Sequence, residues 1–164
     1  MINLEEMMNL VTKLPMVTDA TGISLQRKII ADRKYIETAL EKLKEDNPLV
    51  AQFIRDFSVG RAYTKSVESA GTVVYKLLEL QGQVPQVLED TTELVTREIL
   101  GEPGNDYLIH LVNHVYKKNP GIVNFIAGFG AKSPAAVEII YSGMLVYRLL
   151  EKQTEINKEM LNWL

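Results

Sequence analysis

The chain has 164 residues, 46% of them hydrophobic and 24% charged, with a formal net charge of −3. These proportions belong to a globular chain long enough to bury a full core, and they exclude a disordered tail or a collagen-like fibre. The charge offers a polyanion no long-range attraction, and the richest basic stretch, Arg27, Lys28, Arg33, Lys34, Lys42 and Lys44, is interleaved with Asp32, Glu37, Glu41, Glu45 and Asp46, so no nucleic-acid partner is expected.

Apolar spacing of three and four predicts helices over 3–14, 24–46, 48–57, 61–82, 85–100, 105–118, 120–129 and 134–162, and no strand pattern competes with them. Three helix starts are marked by a capping residue followed by proline: Asn47-Pro48, Asn119-Pro120 and Ser133-Pro134. The expected class is therefore all-α, a bundle of seven or eight helices forming a single domain over residues 1–164.

A shift of 72 positions lays the chain on itself. Residues 47–81 match 119–153 at 12 of 35 positions: Asn47/Asn119, Pro48/Pro120, Phe53/Phe125, Ile54/Ile126, Phe57/Phe129, Gly71/Gly143, Val74/Val146, Tyr75/Tyr147, Leu77/Leu149, Leu78/Leu150, Glu79/Glu151 and Gln81/Gln153. Unrelated chains of ordinary composition would share about two. The expectation is an internally duplicated unit of long helix, short helix and long helix with pseudo-twofold symmetry. It divides the chain into an N-terminal helix within 1–20, a first repeat over 21–82, a second over 85–153 and a helical extension over 154–164. Each short helix carries Phe, Ile and Phe at i, i+1 and i+4, which should plug the core. Gly71 and Gly143 stand mid-helix, where glycine costs about 1 kcal/mol relative to alanine. Two long helices crossing closely at these notches would compensate that cost. The second half has two extra residues in 101–106, a stretch with two glycines and a proline that should break its first long helix.

The chemistry on offer is sparse. With no cysteine there are no disulfides, thiolate nucleophiles or cysteine-held metals, and a cytoplasmic setting is expected. The N-terminus carries Glu5 and Glu6 without a basic flank, and the greasiest stretch, 135–150, contains Glu138 and Arg148, so neither a signal peptide nor a membrane span is expected. Residues 128–133 bring glycines, a lysine and a serine to a helix start, but no glycine precedes Lys132-Ser133 directly and no strand leads in; a tight turn is the reading. Glu37, Glu41, Glu45, Glu79 and Glu151 read as surface residues, and no Glu-x-x-His pair of a di-iron bundle is found. The two histidines share one helix, and no Ser-His-Asp set can be assembled from the sequence.

Asp106, His110 and His114 lie at i, i+4 and i+8 on one helical ridge, so that two imidazoles one turn apart and a carboxylate can share a divalent transition metal. Their first-half counterparts Lys34, Thr38 and Lys42 are polar, which predicts an exposed ridge. The leading expectation is a non-catalytic helical interaction or assembly protein without a cofactor, acting as a homodimer or with a protein partner. Its interface would use Ile109 and Tyr116, which replace Glu37 and Lys44 of the first half, and the apolar tail at Met160 and Trp163. The alternative is a small metal-binding protein or metal-dependent enzyme centred on Asp106, His110 and His114.

Overall fold

The computed structural model describes residues 34–61, 63–101, 104–130 and 133–163. The expected helix over 3–14 and the first part of that over 24–46 lie outside the described residues. Among those described there are seven helices and no strand: α1 (Tyr35–Asp46), α2 (Pro48–Ser58), α3 (Thr64–Leu80), α4 (Glu89–Gly101), α5 (Gly104–Lys118), α6 (Pro120–Gly130) and α7 (Ala136–Asn162).

The axis of the molecule is the pairing of α3 with α7, the most extensive helix contact in the structure. Both are buried where they meet: Ala70 to Tyr75, Leu77 and Leu78 on α3, and Ser142 to Tyr147, Leu149 and Leu150 on α7. Helices α1, α2 and α3 touch one another, as do α5, α6 and α7, while α2 also reaches α7 and α6 reaches α3. The short helices do plug the core. Ile54 and Ile126 are fully buried, Phe53 and Phe125 nearly so, and Phe57 and Phe129 pack on the core from its edge.

At the crossing the two glycines are tightly confined. A Cβ built on Gly143 would lie 2.9 Å from Ile126 Cγ1 and 2.9 Å from Val74 Cγ2, and one on Gly71 would lie 3.0 Å from Ile54 Cγ1 and 3.1 Å from Ser142 Oγ. Ser142 Oγ in turn donates to the Val67 carbonyl at 2.9 Å, a buried bond between the two helices. Removing the side chain at these positions lets the backbones approach and a side chain from the short helix fill the notch, which offsets the intrinsic cost of glycine in a helix.

Several ends differ from expectation. Helix α3 starts at Thr64 because Gly60 (φ +79°) and Tyr63 (φ 61°, ψ 47°) both adopt left-handed backbone and carry the turn three residues further. It stops in a Schellman motif: Gly82 at φ +71°, with Gln83 N–H donating to Leu78 O (2.9 Å) and Gly82 N–H to Glu79 O (3.0 Å). Pro85 does not begin a helix. Residues 83–88 form a connection whose polar backbone is taken up elsewhere: Asn47 Nδ2 donates to Pro85 O (3.0 Å), Val87 N–H donates to Asn47 Oδ1 (3.3 Å) and Leu88 N–H to Gln153 Oε1 (2.8 Å). Asn47 is thus buried and precedes α2, but its side chain makes no cap hydrogen bond to that helix. Ser133 Oγ accepts from Ala135 N–H (3.1 Å), closing a turn before α7 begins at Ala136. The expected break in the second half falls on residues 102 and 103, which lie outside the described residues.

Gly143→Ala is expected to lower stability by about 1–2 kcal/mol, overpacking at the crossing exceeding the gain in helix propensity. Gly128→Ala, in α6 with nothing within 4 Å of its Cβ, is expected to be neutral or stabilising by up to about 1 kcal/mol. Denaturant unfolding of the two variants beside the parent checks both signs.

Candidate functional site

Where α5 lies against α7, three basic side chains converge on one carboxylate. On α5, His114 and Lys118 are one turn apart and share a face. On α7, Arg148, Glu151 and Glu155 follow at i, i+3 and i+7 and share another. Glu151 is drawn inward because its neighbours Leu150 and Gln153 are both buried, leaving its side chain 10% exposed. It reaches His114 Nε2 at 2.7 Å and Arg148 Nη1 at 2.7 Å through Oε1, and Lys118 Nζ at 3.1 Å through Oε2. Glu155 extends the network to Arg148 (3.4 Å) and Lys152 (3.9 Å).

Burial alone would raise the Glu151 carboxyl, but the hydrogen bonds and charges of His114, Lys118 and Arg148 together outweigh it and hold the group below the usual carboxylate value. Nearby, burial and the negative charge of Glu151 push the Tyr147 phenol up to about 12, so it stays protonated at neutral pH. The cluster borders a groove of 520 Å³ between the turn after α3 and the outer part of α7, with Leu78, Val84, Pro85 and Leu150 as its apolar lining and Lys118, Glu151, Glu155 and Lys158 as its charged one.

A second buried polar point steadies this side of the molecule. Gln153 Oε1 accepts from Leu88 N–H and from Thr91 Oγ1 (2.6 Å), and its Nε2 donates to Asn157 (2.8 Å), which ties the start of α4 to α7. Gln81, aligned with it by the 72-residue shift, accepts from Asn119 Nδ2 at 2.8 Å.

The sequence-predicted site residues are distributed differently. His110 is exposed, His114 is partly buried, and the side chain of Asp106 lies outside the described residues. His114 is engaged by a carboxylate from α7, so a metal on the ridge would have to break that 2.7 Å contact. No group of three His, Asp or Glu in metal-holding arrangement occurs among the described residues. Glu151, read from sequence as a surface residue, is the centre of an ion-pair network. Its signal was present in the sequence, since the 72-residue shift aligns Lys76/Glu79 with Arg148/Glu151; what the pattern could not show is that, among the described residues, only the second receives cations from a neighbouring helix. Glu79 remains 33% exposed and bonded to Lys76. Ile109 and Tyr116 are half-buried against the core, whereas Met160 and Trp163 are exposed at 51% and 83%.

No protein-family model, curated protein or solved structure matches the chain.

Since the folded-state value of Glu151 lies below its ordinary 4.5, its stabilisation is complete above about pH 4.5 and is lost as pH falls through the lowered value. Glu151→Gln is expected to cost about 1–3 kcal/mol at pH 7 and to flatten the acid limb of the stability curve below pH 4.5. Urea melts from pH 3 to 7 read both effects; a cost that is the same at both ends would contradict them.

Proposed function

We propose that the chain is a non-catalytic helical interaction or assembly protein, built from a duplicated helix–short helix–long helix unit and acting as a homodimer through the last turns of α7. The observation that carries this reading is the free end of that helix. Residues 158–163 are all exposed, and among them stand Met160, Leu161 (68%) and Trp163, the last the only tryptophan of the chain. A helix end of this length has little stability of its own in water, and large apolar side chains left on it mark a surface that is covered in an assembly.

A second copy suits it. Lys152, Glu155, Lys158 and Glu159 alternate in sign along the same stretch, so an antiparallel copy can set Lys152 against Glu159 twice, as an isologous contact requires. Leu88, anchored by its backbone to Gln153 and 49% exposed, widens the apolar surface near the root of the free end.

The duplication with pseudo-twofold symmetry is supported by matched residues in matched roles. Gly71 is filled by Ile54 and Gly143 by Ile126, each from the short helix of its own unit. The contacts among α1, α2 and α3 recur among α5, α6 and α7, and the α2–α7 contact has its counterpart in α6–α3. Asn119 bonds directly to Gln81, while Asn47 and Gln153 both grip the connection between the units.

Sedimentation at rising protein concentration is expected to show a dimer. Trp163→Ala should weaken it by about thirtyfold, the ~2 kcal/mol of an interface anchor, with an unchanged helical circular dichroism spectrum. A monomer at every concentration, or a variant dimer of undiminished affinity, would reject the reading.

A further inference from the structure

The positions aligned by the 72-residue shift differ in the space they leave. Lys42, Asp46, Tyr75, Lys76 and Glu79 in the first half line a dimple of 20 Å³, whereas Lys118, Tyr147 and Glu151, the counterparts of Asp46, Tyr75 and Glu79, line the groove of 520 Å³. The three aligned positions thus face open space in one case and a closed dimple in the other, with a lysine in place of an aspartate. A volume of this order accommodates a small molecule.

Charge decides which kind. Glu151 Oε1 is held by Arg148 and His114, each at 2.7 Å, and Glu155 is met by Arg148 and Lys152. Lys118, which meets the buried Oε2 of Glu151 at 3.1 Å, is 52% exposed on the groove wall, where its remaining N–H donors can meet an incoming anion. Lys158, on the α7 wall, has no ion-pair partner among the described residues. Two ammonium groups thus flank an apolar lining of Leu78, Val84, Pro85 and Leu150. We propose that this groove binds a small amphipathic molecule with one anionic head, its carboxylate held between Lys118 and Lys158 and its apolar body laid on Leu78, Val84 and Leu150. An amine of the same shape would meet the two ammonium groups with like charge and is rejected.

The test is an amide-resolved NMR titration of the full chain with octanoate below its micellar range, and in parallel with octylamine and octanol. Octanoate is expected to give saturable shifts at Leu78, Val84, Leu150 and Thr154, with octylamine and octanol at least tenfold weaker. Lys118→Asp, which installs the first-half residue, and Lys158→Ala should each weaken octanoate by about tenfold, the loss of one charge-assisted contact. Both lysines are exposed, and the amide spectra of the variants report directly whether the fold is kept; should Lys118→Asp disturb it, Lys158→Ala alone decides. Absence of saturable shifts at these amides, equal binding of octylamine, or undiminished affinity in the lysine variants would overturn the proposal.

Discussion

Everything in this fold depends on how closely α3 and α7 cross. With Val74 2.9 Å and Ser142 3.1 Å from where side chains at Gly143 and Gly71 would begin, the two backbones approach as near as helices with any side chain at the contact cannot. The hollow this leaves on each helix is filled from outside the pair by a fully buried isoleucine, Ile54 from α2 and Ile126 from α6. Each short helix is thereby clamped at one spot, and α1 and α5, which precede them by a single asparagine, are carried into place against α3 and α7. A larger residue at the crossing would push apart the two helices on which all the others lean.

The placement of α5 against α7 has a chemical consequence. It brings His114 and Lys118 over a position of α7 that the burial of Leu150 and Gln153 has drawn inward, and a carboxylate there is stable only because cations answer it. In the first half the matching position, Glu79, meets Lys76 of its own helix and keeps more of its water. The aligned positions Glu79 and Glu151 thus border, respectively, a closed dimple and an open groove. The free end of α7 emerges beside that groove, with Glu155 and Lys158 on its wall and Met160 and Trp163 one or two turns beyond.

What the sequence made legible was what helices do locally. The starts at Pro48 and Pro120, the core role of the Phe-Ile-Phe sets and the glycine notches all follow from spacing within one or two turns or from the 72-residue match. What escaped were polar pairings between residues distant in the chain. Asn47 looks like a helix cap, yet its amide serves Pro85 and Val87, some forty residues away. The same bonds explain why the proline at 85 opens a connection and not a helix. Glu151 has the periodicity of a polar-face residue, and only the arrival of His114 from another helix, 37 residues earlier, reveals it as buried. Periodicity reports which face of a helix is apolar; it is silent on which polar group of another element will meet it.

The close crossing is tested most directly by a double-mutant cycle between α7 and α3, pairing Gly143→Ala with Val74→Ala. If the added methyl is opposed by Val74 Cγ2, trimming that side chain relieves part of the clash, and the double variant will be more stable than the sum of the single losses by about 1 kcal/mol. Strict additivity would mean that the helices do not meet at this point and that the crossing does not organise the fold.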